Sequence, residues 1–343
     1  MEYYNGVNVL NADCPISFSL GNRSAGKSFY WKRYCIKKHL ETGEQFIYLR
    51  RYQIDIDVCM DTFFDDISNV FPGWLFEKIG NRLYLYKENE AGEKYDVRCC
   101  GYTFPMSAVY KLKSIPFEQI KTIFFDEFIP ENLQYLKPLE PTYEPNMLLS
   151  LYMTVARGYK KVIREDVKII CVANAVTLFN PYFSFFGIDL VSKKKVKKNG
   201  VYAELIENKS VVEEIRKTKI GKLLEQTNYG NYALGNQSYH DIYSDINKHG
   251  KRDKAFCELF FNDEWYIAYV DFTKDIITFA KGYDKTLKQK YKLQDFETDD
   301  VVPYFTGDIV KFFRKMASEN KIRYESMEIK SVLSGFIIPN IKR

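Results

Sequence analysis

The first part of the chain alternates between short apolar runs and amphipathic stretches, the pattern typical of a parallel α/β sheet. Strands are predicted at residues 15–20, 45–52, 122–128 and 167–173. Helices are predicted over 29–39, ending near Gly43, and over 147–157. No polar residue interrupts the run between Thr122 and Asp126, so we expect both faces of that strand to be buried.

Three further stretches fill the gaps between these elements. Residues 54–80 alternate acidic and aromatic positions and are predicted to form one helix that ends near Gly80. Segments 82–86 and 95–100 flank a polar turn, which predicts a hairpin inserted at the sheet edge. The aromatic tract 179–186 is interpreted as core or a subunit contact in preference to a platform for stacked bases.

The pattern changes after the lysine-rich run 193–198, which is either a solvated face or a surface for phosphates. Residues 202–206 continue the first pattern, 210–224 are charged and helical, and 228–239 form an irregular connector. Strands then follow one another at 255–261, 264–271 and 276–281. Two helical stretches come after them, near 307–319 and 325–336. We therefore predict a first domain over 1–206, a helical linker over 207–234 and a smaller α+β domain over 235–343.

Composition limits which cellular compartment and which kinds of disulfide or metal site we expect. The chain has 343 residues, 46% of them hydrophobic, and a formal net charge of +5, which is too mild to establish a nucleic-acid partner. Its seven cysteines include no C-x-x-C pair and only three histidines are present, so a disulfide framework and a zinc site are not expected. The N-terminus does not resemble a signal peptide, and no apolar run is long enough to span a membrane. We expect an intracellular, soluble protein.

One short motif carries the first candidate site. Between the strand at 15–20 and the helix at 29–39 the chain reads G-x-x-x-x-G-K-[ST], the pattern of a phosphate-binding loop. Its residues are Gly21, Asn22, Arg23, Ser24, Ala25, Gly26, Lys27 and Ser28. The glycines let main-chain N–H groups turn toward phosphate oxygens, and the helix presents its N-terminus to the same anion. We expect Lys27 to contact the β- and γ-phosphates and Ser28 to bind Mg²⁺.

Polar residues at the ends of two later strands complete the predicted site. Asp126 would hold the Mg²⁺ shell of a bound nucleoside triphosphate, and Glu127 would activate water as the general base. The alternative, a solvated pair of carboxylates, is disfavoured because a phosphate loop precedes them. Asn174 is either a sensor of the γ-phosphate or the N-cap of a helix beginning at Ala175. One of Arg50 and Arg51 faces the nucleotide, or both form exposed ion pairs.

With these residues in place, the sequence resembles a known family. The segments 43–52, 125–129, 174–183, 216–223 and 228–230 closely resemble DNA-packaging ATPases of small short-tailed phages of the Picovirinae type. The likeness extends over residues 15 to about 240. It implies a P-loop ATPase domain of the additional-strand, catalytic-glutamate class with a mostly parallel sheet. ATP hydrolysis with Mg²⁺ would drive double-stranded DNA through the portal into a preformed procapsid.

The resemblance also implies residue roles and partners. The family forms a ring, expected to be a pentamer, in which Arg157 and Lys113 fall on basic residues offered to the nucleotide of the neighbouring subunit. Arg23, within the loop, is a competing candidate that would act on its own nucleotide. A structural packaging RNA is a further expected partner, and a membrane is not. The expected location is the host cytoplasm, with transient docking on the procapsid.

The C-terminal domain resembles the RNase H-like domain of such motors. Asp271 and the pair at 299–300 are the nearest approach to a nuclease centre, but they form no spaced acidic constellation for two metal ions. We therefore predict a nuclease-inactive domain that binds DNA, portal or structural RNA. The alternative function for the whole chain is another P-loop DNA-dependent ATPase, such as a helicase.

Overall fold

The computed structural model describes residues 3–112, 117–131, 134–137, 143–158, 162–190, 193–227, 245–261, 263–293 and 302–337. The described residues fall into two compact units. The first draws on 1–136, 146–176 and 188–239, and the second on 137–145, 177–187 and 240–343. Two short stretches of the N-terminal part, 137–145 and 177–187, thus belong to the second unit.

The first unit is built on a nine-stranded sheet with the order β3-β4-β5-β2-β6-β7-β1-β9-β8. Its strands are β1 Ile16–Gly21, β2 Gln45–Arg50, β3 Leu75–Ile79, β4 Arg82–Glu88, β5 Lys94–Pro105, β6 Ile120–Asp126, β7 Lys168–Asn174, β8 Lys195–Lys198 and β9 Val201–Ile206. The six strands from β5 to β9 in this order pair in parallel, and only the two edges are antiparallel. The predicted mostly parallel sheet is therefore confirmed.

Helices connect the strands. They are α1 Val7–Ala12, α2 Lys27–Thr42, α3 Gln53–Met60, α4 Asp65–Ser68, α5 Tyr143–Val155, α6 Pro181–Phe186, α7 Lys209–Lys217, α8 Lys219–Leu224, α9 Asp308–Ser318 and α10 Met327–Ile337, with a 3₁₀ helix at Met106–Leu112. The helix α2 ends as predicted at Gly43, whose φ of 76° admits the left-handed turn that closes on His39 O.

The central strands are buried on both faces, as the apolar runs indicated. In β6 the side chains of Ile123, Phe124 and Phe125 are fully buried, and Asp126 at its end is 5% exposed. Because helices cover both faces of a parallel sheet, such strands have no solvent-facing positions except at their ends. Polar side chains are consequently concentrated at the carboxyl edge.

The predicted single helix over 54–80 is wrong. The stretch forms α3, α4 and then the strand β3, which pairs antiparallel with β4 from Leu75 opposite Tyr86 to Ile79 opposite Arg82. Gly73, with a φ of 80°, reverses the chain between helix and strand. Phe76 of β3 then stacks on Phe64, with the ring centroids 5.2 Å apart. Long-range pairing thus overrides the local helical pattern.

Other boundaries also differ from the sequence prediction. The hairpin of β4 and β5 is confirmed, but β5 continues into the sheet as the parallel neighbour of β2. The helix α5 ends at Val155, two residues before Arg157. The predicted helix over 210–224 is broken at Thr218, whose hydroxyl accepts a hydrogen bond from Gly221 N and so caps α8. The connector at 228–239 lies outside the described residues.

The second unit contains a five-stranded sheet with the order β13-β10-β11-β12-β14. Its strands are β10 Lys254–Phe261, β11 Glu264–Asp271, β12 Ile276–Lys281, β13 Lys290–Lys292 and β14 Ile322–Tyr324. The first three are the strands predicted in series, and they pair antiparallel. The strand β13 pairs in parallel with β10, and β14 pairs in parallel with β12. Phe313 of α9 and Leu333 of α10 pack with Phe279 in a core on one face.

Among the residues that the structure describes, no helix combines the length and the hydrophobicity needed to span a membrane.

The close pairing of β5 with β2 leads to a stability prediction. A Cβ at Gly101 would lie 2.3 Å from Phe46 O, a main-chain atom that cannot move without separating the strands. We expect Gly101→Ala to lower the free energy of unfolding by about 1–3 kcal/mol. At Gly282 the nearest atom is the movable Ile267 Cδ1 at 3.2 Å, so Gly282→Ala is the matched control. Equal denaturation midpoints for Gly101→Ala and the unmodified chain would contradict the prediction.

Candidate nucleotide site

The loop at residues 21–28 joins the carboxyl end of β1 to the first turn of α2. Gly21 is the last residue of β1, and Lys27 is the first residue of α2. Left-handed backbone at Ser24, with a φ of 62°, and at Gly26, with a φ of 87°, turns the chain back on itself. A Cβ at Gly21 would lie 2.7 Å from Ile206 O on the neighbouring strand, which explains the first glycine. The loop therefore has the strand–loop–helix setting that phosphate binding requires.

Lys27 is directed into the loop. Its ammonium donates to Gly21 O at 3.1 Å and to Asn22 O at 2.7 Å, and the side chain is almost fully buried. Burial lowers the pKa of Lys27 to about 8, and the nearby charge of Asp126 opposes that fall. The carbonyls of the loop thus hold the cation at the place where phosphate oxygens would arrive.

Asp126 connects the loop to the centre of the sheet. Ser28 Oγ donates to Asp126 Oδ1 at 2.8 Å, and the hydroxyl of the buried Tyr48 donates to Oδ2 at 3.1 Å. The strand β7 lies between β1 and β6, so the loop and the carboxylate come from strands separated by one other strand. A serine hydroxyl and a carboxylate oxygen are both ligands that Mg²⁺ prefers.

Glu127 follows β6 in an unusual conformation. Its φ is 57°, in the left-handed region that glycine favours, and its side chain is about half exposed. Arg50 Nη2 donates to Glu127 Oε2 at 2.6 Å, while Arg50 Nη1 lies 3.6 Å from Asp126 Oδ2. Partial burial of the carboxyl group raises the pKa of Glu127, and the Arg50 charge acts in the opposite direction.

Arg50 and Arg51 therefore have different partners. Arg50 contacts the two carboxylates, whereas Arg51 donates to the main-chain oxygens of Glu127 and Phe128 at 3.2 and 2.6 Å. Arg50 thus forms an ion pair at this edge, with its own side chain 13% exposed and that of Glu127 56% exposed, so the two alternatives for Arg50 are not exclusive. Tyr48 was not identified from the sequence, because a tyrosine within a buried strand has the same pattern as a core residue.

Asn174 and Arg23 lie at the same edge of the sheet. Asn174 ends β7 directly opposite Gly21 in the parallel register. No helix begins at Ala175, and α6 is capped by Asn180, so the N-cap alternative for Asn174 is wrong and the sensor role stays a prediction. Arg23 Nη1 lies 3.0 Å from Glu131 Oε1, with both side chains about half exposed.

The loop is also fixed from the side of β9. The amide of Tyr4 donates to Ala25 O at 2.9 Å, and Asn22 Oδ1 accepts from the Asn208 amide at 3.1 Å. Below them the buried carboxylate of Glu204 accepts hydrogen bonds from three hydroxyl groups. These belong to Tyr4, Ser19 and Tyr202. Hydrogen bonds of this kind rigidify a buried polar cluster when every member has a partner.

Arg157 lies at the opposite edge of the sheet. The guanidinium of Arg164 donates to Val155 O, at the end of α5, and to Ile120 O, at the amino end of β6. The exposed Arg157 pairs with Ile163 next to this contact, whereas the phosphate loop lies at the carboxyl edge. Because a strand of seven residues spans roughly 20 Å, Arg157 does not reach the loop of its own chain. Lys113 lies outside the described residues.

Comparisons with known proteins show the family of the chain. A family model described as podovirus DNA encapsidation protein (Gp16) matches residues 1–337. The chain belongs to this family. A DNA packaging protein of Bacillus phage PZA is 30% identical over 337 residues, which cover 96% of this chain and 95% of the relative.

Two solved structures are similar over nearly the whole chain. One comes from the viral genome packaging motor assembly of bacteriophage Phi-29, with a TM-score of 0.66, 28% identity and 97% coverage of both chains. Another comes from the Phi-28 gp11 DNA packaging motor, with a TM-score of 0.64, 18% identity and coverage of 98% and 97%. At that identity the second likeness supports the fold alone.

The depressed pKa of Lys27 leads to a prediction for nucleotide binding. Phosphate oxygens would restore the ordinary pKa of Lys27. Above about pH 8 the side chain of the free protein is mostly deprotonated, so ATP binding must take up a proton there. We expect ATP to bind with uptake of roughly a quarter of a proton near pH 7.5 and most of one near pH 9, and with falling affinity. Calorimetry in two buffers of different ionisation enthalpy measures this uptake.

The control for this measurement is Lys27→Arg, which keeps its charge over the whole range. Its proton uptake should not change with pH. The same rise in uptake in Lys27→Arg and in the unmodified chain would assign the proton to another group.

Proposed function

We propose that this chain is the ATPase of a viral DNA-packaging motor, which hydrolyses ATP to move double-stranded DNA through a portal into a preformed procapsid. The observation that carries the proposal is the convergence of Lys27, Ser28 and Asp126 at one edge of the sheet, with Ser28 Oγ 2.8 Å from Asp126 Oδ1. This geometry occurs in a member of a DNA encapsidation family. The position of β7 between β1 and β6 fits the additional-strand, catalytic-glutamate class.

The residues at this edge fit a magnesium–nucleotide complex. Ser28 and Asp126 are the ligands we assign to Mg²⁺, and the charged Lys27 would contact the β- and γ-phosphates. When bound, Mg²⁺ supplies charge neutralisation for the phosphate oxygens. Most of its coordination in such sites comes from water and phosphate, so one carboxylate and one hydroxyl are sufficient protein ligands.

Glu127 is the general base in this proposal. Its carboxylate must accept a proton from the attacking water, but it accepts a short hydrogen bond from Arg50. Arg50 therefore has to release Glu127, or share it with the water, before hydrolysis. Asn174, opposite Gly21, would sense the γ-phosphate and help to place the water.

The ring arrangement is supported by where the cations lie. Arg157 at the far edge of the sheet can act only on the nucleotide of another chain, which favours a closed ring, proposed to be a pentamer. Lys113 is proposed for the same intersubunit role. Arg23 is the alternative finger in its own loop, and its ion pair with Glu131 would have to open first.

We propose that the second unit is an RNase H-like domain without nuclease activity, which binds DNA, portal or a structural packaging RNA. The likeness is supported by the antiparallel strands β10 to β12 and by β13, which pairs in parallel with β10. The fifth strand, β14, departs from the RNase H order because it lies beside β12, at the other edge of the sheet. Asp271 Oδ1 accepts from the Thr273 and Lys274 amides and so holds a turn. Within the described residues no group of three or more His, Cys, Asp or Glu could hold a metal.

The proposed place of action is the host cytoplasm, with transient docking on the procapsid. The experiment that tests the proposal measures ATP hydrolysis by the purified chain alone, with duplex DNA, and with duplex DNA and empty procapsids. We expect a weak basal rate that rises at each step. Unwinding of a forked duplex without stimulation by procapsids would favour the helicase alternative.

Variants of the site test the assigned roles. We expect Glu127→Gln to bind ATP with unchanged affinity but to hydrolyse it at least about 100-fold more slowly, because the general base is lost. Mixtures of Arg157→Ala and Lys27→Ala subunits should recover part of the hydrolysis that each variant lacks. In the control mixtures Arg216→Ala, which removes a half-exposed arginine paired with Glu225, replaces Arg157→Ala. Absence of recovery at every ratio would favour Arg23.

The ion pair between Arg50 and Glu127 predicts a change in pH dependence. Arg50 holds down a pKa of Glu127 that burial raises, so Arg50→Gln should raise it further. Because the base acts only when deprotonated, we expect the acid limb of the hydrolysis profile to move to higher pH. The profile of Arg216→Gln should coincide with that of the unmodified chain, and a shift to lower pH in Arg50→Gln would contradict the assignment.

A further inference from the structure

Arg51 is a buried arginine next to the proposed site that the reaction scheme leaves without a role. It is 4% exposed and follows directly after the end of β2. Arg50 contacts the carboxylates of Asp126 and Glu127, whereas Arg51 donates to two successive main-chain oxygens. Those oxygens belong to Glu127 and Phe128. Burying a guanidinium is unfavourable unless its donors are satisfied, so this placement is specific.

The contacted backbone is itself strained. A residue with a side chain loses about 1 kcal/mol or more in the left-handed region, where Glu127 lies with a φ of 57°. Such a conformation persists only when its surroundings hold it. The Phe128 amide donates to Val172 O at 3.3 Å, and the two hydrogen bonds from Arg51 fix the carbonyl side of the same turn.

Arg51 is in turn held in place by its neighbours. Its guanidinium carbon lies 5.3 Å from the ring centroid of Tyr135 and 5.8 Å from that of Phe125. Its own carbonyl accepts a hydrogen bond from the Ser107 amide at 3.2 Å. Rings and main chain thus hold the guanidinium fork against the turn that carries Glu127.

We propose that Arg51 is a positioning residue for ATP hydrolysis, holding the backbone of Glu127 in the left-handed conformation that aims its carboxylate at the attacking water. This inference rests on the proposed function, because it assigns Arg51 to the same reaction. Arg51 makes the two contacts through separate nitrogens, Nη1 and Nη2, whereas a lysine carries all its donors on one nitrogen and cannot reproduce this planar fork. Displacement of a reacting group by about 1 Å can cost roughly 100-fold in rate, so loss of the fork should affect the chemical step.

The test compares Arg51→Lys with Arg164→Lys. Arg164 also donates to main-chain oxygens, those of Phe117, Glu118, Ile120 and Val155, but at the opposite edge of the sheet. We expect single-turnover hydrolysis by Arg51→Lys to fall by about 10- to 100-fold, with ATP affinity within about twofold of the unmodified chain. Arg164→Lys should lower the melting temperature and leave the hydrolysis rate within about twofold.

A double variant separates positioning from a general structural role. If Arg51 acts through Glu127, adding Arg51→Lys to Glu127→Gln should cause no further loss of the residual rate. A further loss in the double variant, or a loss of ATP affinity equal to the loss of rate, would overturn the proposal. So would an unchanged rate in Arg51→Lys.

A milder variant covers the case in which Arg51→Lys does not fold. Tyr135→Leu removes one ring beside the guanidinium and keeps Arg51 itself, so we expect a rate lowered by about threefold or more with unchanged ATP affinity. An unchanged rate in Tyr135→Leu would then overturn the proposal. Full hydrolysis by Glu127→Gln would instead refute the assignment of the base, and with it the proposed function of this edge.

Discussion

The arrangement of the site depends on the carboxylate of Asp126, which is contacted by side chains from two other elements. Ser28 belongs to the helix after the phosphate loop, Tyr48 and Arg50 belong to β2, and Asp126 ends β6. A buried carboxylate is stable only when its oxygens are satisfied, so the spacing of these elements is fixed by one side chain. The side of the loop that faces β9 is held independently, through Tyr4, Asn22 and the buried Glu204. The loop therefore lies between two polar clusters that fix it from both sides.

Local signals were sufficient to predict the parts of the site that local geometry determines. The loop follows from glycine spacing, α2 from its start and its terminal glycine, and β6 from an uninterrupted apolar run that ends in carboxylates. These features are encoded within about a dozen consecutive residues each, and the structure has them where they were expected. The proposed roles of Lys113 and Arg157 rest on family resemblance, and that of Asn174 rests on its position at a strand end. The structure adds the location of Arg157 and places Asn174 opposite Gly21.

What could not be predicted depends on pairing between distant parts of the chain. The strand β3 exists because β4 offers it a partner, and its own residues favour a helix as readily. Tyr48 reaches Asp126 because the register of β2 with β6 places it beside Phe124. Arg50 and Arg51 are adjacent in the sequence and equivalent in composition, yet the reversed backbone at Glu127 gives one the carboxylates and the other the carbonyls. No pattern in the sequence distinguishes them.

The contact of Lys27 with the carbonyls of Gly21 and Asn22 has a consequence for the proposed cycle of ATP binding and hydrolysis. A buried cation whose anion departs is left at high energy unless other acceptors replace the lost oxygens. Here the loop supplies acceptors from its own main chain, which offset part of the burial cost that lowers the pKa of Lys27. In the proposed ATPase, a chain whose nucleotide has left would therefore keep acceptors around Lys27 from its own loop.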